Sequence, residues 1–181
     1  MRIKSVPTMV FLAASLSALG ALAFAAQDKY ALKAPNGVAF AEFQGYEKWQ
    51  AVAPSQTDKG LKVILANNIM INAYKDGIPG NGKPFPDGSM VVKIEWAKKP
   101  NPVSPYSVLV PDTLKSVSFI EKNSKRFPET SGWGYAQFLY DPGTNSFKAF
   151  GDDSSFAKKI CYQCHTIVKG RDYIFTDYAR R

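Results

Sequence analysis

Histidine and cysteine are almost absent from this sequence. Its 181 residues include one histidine and two cysteines. One histidine cannot supply two imidazole ligands to the same metal ion, so a site with two histidine ligands from this chain is excluded. Methionine is also scarce, with four residues in all, and only Met70 and Met90 lie beyond the first 25 residues.

All three of the scarce residues lie in one pentapeptide, Cys161-Tyr162-Gln163-Cys164-His165. The C-x-x-C-H pattern is the signature of covalent c-type haem attachment. The thiols of Cys161 and Cys164 can add to the haem vinyl groups, and the imidazole of His165 can bind the iron from one face. The alternative is a redox-active C-x-x-C dithiol followed by a histidine by chance. The position of the histidine and an export signal at the start of the chain favour haem over the dithiol. We therefore predict one covalent haem c with His165 as the metal ligand. Because both cysteines bind the haem, no structural disulfide is expected.

The first 25 residues have the pattern of a secretory signal peptide. Arg2 and Lys4 form a basic start, residues 10–22 are apolar, and residues 23–25 read Ala-Phe-Ala, an A-x-A cleavage site. No lipobox cysteine is present, which excludes a lipoprotein, and an uncleaved anchor is the remaining alternative. We predict a signal peptide over residues 1–25, a single haem-binding domain over residues 26–181 with no membrane span, and a periplasmic location.

Positive charge exceeds negative charge in the chain. The formal net charge is +8, and loss of Arg2 and Lys4 with the signal peptide leaves +6. A positive exported protein can bind an acidic redox partner or an anionic surface, and it can equally have a merely solvated basic surface. We expect a periplasmic electron-transfer partner. Nucleic acid is not expected, because the basic residues form no stripe with interleaved aromatic residues.

Hydrophobic periodicity predicts several strands between helical ends. Aromatic residues at three-residue spacing from Phe40 predict an amphipathic helix that ends near residues 53–54, and the proline-rich residues 98–111 are expected to be irregular. Strands are predicted at 61–65, 89–97, 114–121, 133–140 and 146–150, a short helix at 67–76, and a mostly helical segment at 156–178 around the C-x-x-C-H motif. This order predicts an α+β fold with an antiparallel β-sheet flanked by helices, the C-terminal helix carrying the motif. It does not fit the small all-α cytochromes, whose motif lies near the N-terminus.

The chain resembles the cytochrome P-460 family, which includes the cytochromes c′-beta. The resemblance covers roughly residues 40–178 and depends on the order of several short segments before a C-terminal C-x-x-C-H. These segments are Phe85-Pro86-Asp87-Gly88-Ser89, Lys125-Arg126-Phe127, Gly132-Trp133-Gly134-Tyr135 and Asp172-Tyr173-Ile174-Phe175-Thr176. The resemblance implies a homodimer of β-sheet subunits with five-coordinate haem and an open distal face that binds small nitrogen oxides.

The scarcity of histidine also bears on the second face of the iron. A sixth ligand from the chain would be Met70, Met90, a lysine or the N-terminal amine, and both methionines can instead be core residues. An open site makes a haem a ligand binder or a catalyst, whereas two strong ligands make it an electron carrier. We therefore predict a periplasmic monohaem c-type cytochrome that binds NO or CO, or that oxidises hydroxylamine or NO. An electron-transfer cytochrome with a weak sixth ligand is the alternative.

The resemblance also points to two further residues, Lys93 and Arg126, as candidates for contact with the haem. In cytochrome P-460 a lysine is bonded covalently to the haem macrocycle, and the resemblance implies Lys93 for this role, on the strand face opposite Met90. The alternatives are a lysine near the haem edge without a bond, and a solvent-facing lysine paired with Glu95 or a cross-strand acid. Arg126 is a candidate for contact with a haem propionate or a distal ligand, or else a surface arginine.

The chain has no glutamate after Glu129. Hydroxylamine oxidation needs a base to take protons from the substrate, and the family's enzymes have a glutamate in the segment before the haem motif. Between residues 146–150 and the haem motif only Asp152 and Asp153 are acidic, and we assign both to the turn before the helix. An aromatic distal wall without an acid resembles the cytochromes c′-beta. Candidates for that wall, or for ordinary sheet core, are Phe138, Tyr140, Phe147 and Phe150.

Overall fold

A computed structural model describes residues 27–181, and the predicted signal peptide over residues 1–25 lies outside the described residues. The centre of the fold is a six-stranded antiparallel sheet in which the strands follow one another in sequence order. The strands are β1 Gln50–Thr57, β2 Gly60–Ala66, β3 Met90–Pro100, β4 Leu109–Lys122, β5 Trp133–Asp141 and β6 Ser146–Ala149. One helix, α1 at Asn68–Lys75, connects β2 to β3 and is capped by the side chain of Asn67, which accepts from the amide of Met70. Within residues 27–181, no helix has the length and apolar character needed to cross a membrane.

The C-terminal segment is helical over three consecutive stretches. Ala157–Tyr162 is π-helical, Gln163–His165 is a short α-helical turn, and Thr166–Arg171 is a 3₁₀ helix. The predicted α+β class, with an antiparallel sheet and a C-terminal helix that carries the C-x-x-C-H motif, is confirmed.

Apolar side chains cover both faces of the sheet. On one face, residues 27–49, which we call the N-terminal segment, pack against the sheet and form an aromatic core. The rings of Phe43 and Phe119 stack there with their centroids 4.2 Å apart. On the other face, α1 and the C-terminal segment pack around Ile71, Phe85 and Trp133. We call these the aromatic face and the helical face. Because side chains alternate along a strand, Val92 lies on the aromatic face, whereas Val91 and Lys93 lie on the helical face, as predicted.

The prediction of one helix from Phe40 to residues 53–54 is wrong. The chain forms two 3₁₀ turns, Phe40–Phe43 and Tyr46–Lys48, and then enters β1. Gly45 between the turns has a φ of +82°, a left-handed conformation that ends the first turn. A three-residue aromatic repeat fits a 3₁₀ helix as well as an α-helix, which is why the pattern alone did not separate them.

Two other boundaries differ from the predictions. Residues 98–111 are not all irregular, because Lys98 and Lys99 pair with Pro111 and Val110 and extend the β3–β4 hairpin. The C-terminal helix ends at Arg171 rather than near residue 178. Asp172 and Tyr173 both have positive φ values, so the helical backbone cannot continue through them.

Candidate haem site

A cavity of about 360 Å³ lies between the C-terminal segment and the helical face of the sheet. Cys161, Cys164 and His165 line it from the C-terminal segment. Cys161 and Cys164 are three residues apart in a helical backbone, so their side chains lie on the same side of the segment. The structure therefore brings all three residues of the motif to one cavity, and both thiols are free.

A row of side chains across the sheet forms the opposite wall. Lys93 of β3 pairs in register with Ser118 of β4, and Ser118 pairs with Gln137 of β5. All three residues line the cavity. Polar residues at inward positions of apolar strands are a sequence signal for such a wall, but Ser118 and Gln137 were not identified from the sequence.

His165 is held in one orientation and one tautomer. Its Nδ1 atom lies 2.6 Å from the carbonyl oxygen of Tyr173, and since a carbonyl can only accept, Nδ1 carries the proton. Burial lowers the pKa of His165, which favours the neutral imidazole. A neutral ring with its proton on Nδ1 has its lone pair on Nε2, the arrangement found in metal-binding histidines.

The environment of Cys161 differs from that of a reactive dithiol. Burial raises the pKa of the Cys161 thiol, and this effect exceeds the opposing influence of Lys93. Reactive C-x-x-C cysteines have lowered pKa values, because the thiolate is the nucleophile. The pKa of Cys161 therefore argues against the redox-dithiol alternative.

Lys93 faces the cavity rather than solvent. Burial lowers the pKa of its ammonium group, although Glu95 partly offsets this effect. Among residues 27–181, Lys93 has no ion pair, and Glu95 instead pairs with Lys115 at 3.2 Å and Lys62 at 4.0 Å. The alternative of a solvent-facing lysine paired with Glu95 does not describe this geometry.

An unpaired polar group marks the same cavity. Tyr135 lines it, is only 3% exposed, and its hydroxyl has no hydrogen-bond partner within the described chain. Buried hydroxyls normally have a partner. Two free thiols, an imidazole with an available Nε2 and an unpaired hydroxyl thus converge on one space, and this donor set fits a covalently attached haem.

Carboxylates are missing from the part of this cavity that the structure describes. None of the described residues that line it is an aspartate or a glutamate. Asp153 lies in the turn before the C-terminal segment, as predicted, where its carboxylate accepts from the amide and hydroxyl of Ser155 at 2.6 Å. The two methionines do not line the cavity either, because Met70 is fully buried in the core and Met90 packs against the aromatic face.

Arg126 is not brought to the cavity. Its Nη1 donates to Glu42 at 2.9 Å and to Glu121 at 2.7 Å, and its Nη2 donates to the carbonyl of Gly37. Glu121 shares the strand face of Val117 and Phe119, so this cluster belongs to the aromatic side of the sheet. These contacts place Arg126 in the packing of the N-terminal segment, away from this cavity.

The four aromatic candidates for a distal wall lie outside the cavity as well. Phe138 and Phe147 pack on Phe40 at ring distances of 5.0 and 5.4 Å on the aromatic face, and Tyr140 packs on Phe147. Phe150 contacts Phe156 near the surface. The aromatic rings that do approach His165 are those of Tyr135 and Phe175, each at 4.9 Å. Both lie in segments that carry the family resemblance, which is the sequence signal that could have identified them.

Comparison with known proteins agrees with this site. A search of curated proteins finds no match to the chain. A family model described as cytochrome P460 matches residues 43–176, which is most of the chain and includes the sheet, the cavity and the C-x-x-C-H motif. The chain therefore belongs to the cytochrome P460 family and is a haem-binding c-type cytochrome.

Proposed function

We propose that this protein is an exported monohaem cytochrome that binds NO or a similar small ligand at an open iron face. In this proposal Cys161 and Cys164 hold the haem through thioether bonds and His165 binds the iron. The observation that carries the proposal is the composition of the cavity. The only imidazole of the chain meets both thiols there, and the described lining offers neither a second imidazole, nor a methionine, nor a carboxylate.

The bound haem would supply an iron centre that takes up a diatomic or nitrogen-oxide ligand. The chain supplies the attachment, the fixed imidazole and the surroundings. The Tyr173 carbonyl holds the Nδ1 proton of His165, which leaves Nε2 available. Lys93, Ser118 and Gln137 provide a polar wall. Oxidation of hydroxylamine requires a base for the substrate protons, and the absence of an acid in the described lining favours ligand binding over oxidation.

Lys93 is the residue of the chain that would alter the electronic properties of the haem most directly. Its position in the cavity supports contact with the haem edge. The family resemblance implies a covalent lysine–haem bond at this position. The mass of the tryptic haem peptide tests for that bond: an attached Lys93 fragment supports it, and recovery of Lys93 on an unmodified peptide excludes it.

The periplasm is the proposed location. The signal-peptide pattern of residues 1–25 supports export, and haem is attached to c-type apocytochromes outside the cytoplasm. The net charge of +6 that remains after loss of Arg2 and Lys4 suits an acidic electron-transfer partner. A homodimer is proposed from the family resemblance, and sedimentation equilibrium of the purified protein tests it.

The decisive experiment is the visible spectrum of the reduced protein with and without CO. An open iron face predicts a clear shift of the haem bands on addition of CO. An unchanged spectrum would show that both faces are occupied and would favour the electron-carrier alternative. Incubation with hydroxylamine and an electron acceptor separates the two ligand-based functions: we expect no turnover, and sustained turnover would show that the protein is an oxidoreductase.

Replacement of the proposed ligand provides the matching control. His165→Ala removes the only imidazole of the chain, so we expect haem that is still covalently attached but has lost the wild-type spectrum. An unaltered spectrum would refute the role of His165. If the peptide mass shows no Lys93–haem bond, Cys161→Ser and Cys164→Ser together should release the haem on acid–acetone extraction, whereas the wild-type protein retains it.

A further inference from the structure

The carbonyl that meets His165 is presented from an unusual backbone conformation. Asp172 has a φ of +46° and Tyr173 a φ of +65°. Two consecutive non-glycine residues in the left-handed region are uncommon, because the Cβ atom crowds the neighbouring backbone. Such a turn persists only where the surrounding structure holds it in place. The contacts that hold it therefore determine where the Tyr173 carbonyl lies.

The carboxylate of Asp172 makes the strongest of these contacts. Its two oxygens lie 2.9 and 3.0 Å from Nζ of Lys122, and Oδ2 also accepts from the backbone amide of Phe85 at 2.8 Å. Both charged side chains are nearly buried, with 7% of Lys122 and 10% of Asp172 exposed. A buried carboxylate with this many donors has one favourable position, so it fixes the start of the turn.

Lys122 in turn is anchored to the sheet. It lies at the end of β4, donates to the carbonyl of Ser131 at 3.0 Å, and lies 4.8 Å above the ring of Trp133. The hydroxyl of Ser131 donates to the hydroxyl oxygen of Tyr173 at 2.8 Å. The turn is thus held through Asp172 by the end of β4 and through Tyr173 by the connection between β4 and β5. Neither Lys122 nor Asp172 lines the cavity.

We propose that Asp172 is a positioning residue for His165. Its ion pair with Lys122 holds the left-handed turn that presents the Tyr173 carbonyl to Nδ1, and this fixes the imidazole plane. A hydrogen bond to the ring N–H also raises the basicity of the opposite nitrogen, so the same contact adjusts the electron density that His165 gives to iron. The inference rests on the proposed role of His165 as the iron ligand.

The test uses the full-length haem protein with Asp172→Asn. This variant keeps the shape of the side chain and removes its charge. We expect covalent haem to remain attached, the iron–histidine stretching band of the ferrous protein to move to lower frequency in the resonance Raman spectrum, and the midpoint potential to become more positive. The matched control is Asp177→Asn, which removes the same charge from the same segment at a carboxylate that is 80% exposed and paired with Arg171. This control should change neither the iron–histidine stretching frequency nor the midpoint potential.

A second variant controls for the loss of stability that Asp172→Asn alone would cause. Asp172→Asn leaves Lys122 buried without its partner, which is destabilising in itself, so the double variant Lys122→Met/Asp172→Asn removes both charges together. It should fold, retain haem and show the same two shifts. A folded variant whose stretching band and midpoint match the wild type overturns the inference. Loss of covalent haem from the double variant also overturns it, because a positioning role leaves attachment at Cys161 and Cys164 intact.

Failure of this inference is distinguishable from failure of the proposed function. If the wild-type protein has no iron–histidine band that disappears in His165→Ala, then His165 is not the ligand and the proposed function fails before Asp172 is considered. If the wild-type band is present and depends on His165, an unchanged Asp172→Asn spectrum refutes the positioning role alone.

Discussion

The ring of Tyr135 lies 4.9 Å from the imidazole of His165, at an interplanar angle of 54°, and its buried hydroxyl has no partner in residues 27–181. Burial raises the pKa of this hydroxyl far above its usual range, so it remains protonated and able to donate. Tyr135 therefore offers a hydrogen-bond donor inside the proposed haem site.

Tyr135→Phe tests whether the haem protein uses this donor. If the hydroxyl gains a partner when haem is bound, its removal should lower the free energy of unfolding by roughly 1–2 kcal/mol. Urea unfolding of the haem-loaded protein, followed by circular dichroism, measures this change. Tyr140→Phe is the control, since its exposed hydroxyl donates to the nearby Asn145 at 2.6 Å, and it should change stability by less than about 0.5 kcal/mol. Stabilisation by Tyr135→Phe would show that the hydroxyl stays unpaired.

Lys93→Met tests contact between the lysine and the haem. Methionine keeps most of the length of the side chain and removes the nitrogen, so we expect the haem to stay attached while its visible bands shift in position. Lys115→Met is the matched control, because Lys115 pairs with Glu95 outside the cavity and its loss should leave the spectrum unchanged. Identical spectra for wild type and Lys93→Met would contradict the contact.

Gly134→Ala tests the close packing behind Trp133. A Cβ atom at position 134 would lie 2.3 Å from the ring of Phe127, a distance at which atoms overlap. Because both residues belong to well-packed parts of the core, we expect a loss of roughly 1–3 kcal/mol in the free energy of unfolding. Gly170→Ala is the control: a Cβ there meets nothing within 4 Å, so stability should stay within about 0.5 kcal/mol. Equal stability of the two variants would contradict the close contact between position 134 and Phe127.

Glu121 should make stability depend on pH. Burial, with a further contribution from the nearby Glu42 carboxylate, raises the pKa of Glu121 to about 7 from an ordinary 4.5, although Arg126 opposes the shift. The folded state therefore binds this proton more tightly than the unfolded state does. The resulting stability is fully present below about pH 4.5 and is lost as the pH rises through about 7.

The measurement for Glu121 compares unfolding free energies at a series of pH values. Relative to Glu121→Gln, which cannot titrate, wild type should lose roughly 1–2 kcal/mol between pH 4.5 and 8, less than a full shift from 4.5 to about 7 implies because solvent around this partly exposed cluster screens its charges. Glu129→Gln changes an exposed glutamate paired with Lys158 and should retain the wild-type pH dependence. Parallel pH profiles for wild type and Glu121→Gln would show that Glu121 titrates normally.

Prediction from sequence succeeded where a local pattern identifies one structure. The alternation of Val91, Val92 and Lys93 predicted both a strand and the shared face of Val91 and Lys93, because side chains on a strand alternate whatever lies on either side. The short helix after Asn67 had a capping residue at its start and was found with bounds close to those predicted. The helix predicted from Phe40 was wrong, because a three-residue repeat does not distinguish 3₁₀ turns from an α-helix.

For the aromatic candidates, the sequence left the choice between a distal wall and ordinary sheet core open for a different reason. Phe138 of β5 and Phe147 of β6 lie on the same face of the sheet. Because both faces of this sheet are apolar, the alternation of side chains does not tell which face lies against the haem motif. Arg126 is a similar case. Its partners Glu42 and Glu121 lie 84 and 5 residues away in the chain, and only the packing of the N-terminal segment brings Glu42 to it.

The sequence by itself determined the cofactor chemistry of this protein. One pentapeptide contains both cysteines and the only histidine, so the predicted type of haem attachment and the lack of a second imidazole follow from local spacing and composition. The tertiary structure alone decided what surrounds that motif. Lys93, Tyr135 and the Tyr173 carbonyl come from distant strands and a left-handed turn, and they meet His165 only because sheet register and a buried ion pair bring them there. Contacts of that kind depend on the packing of the whole chain, which no local pattern encodes.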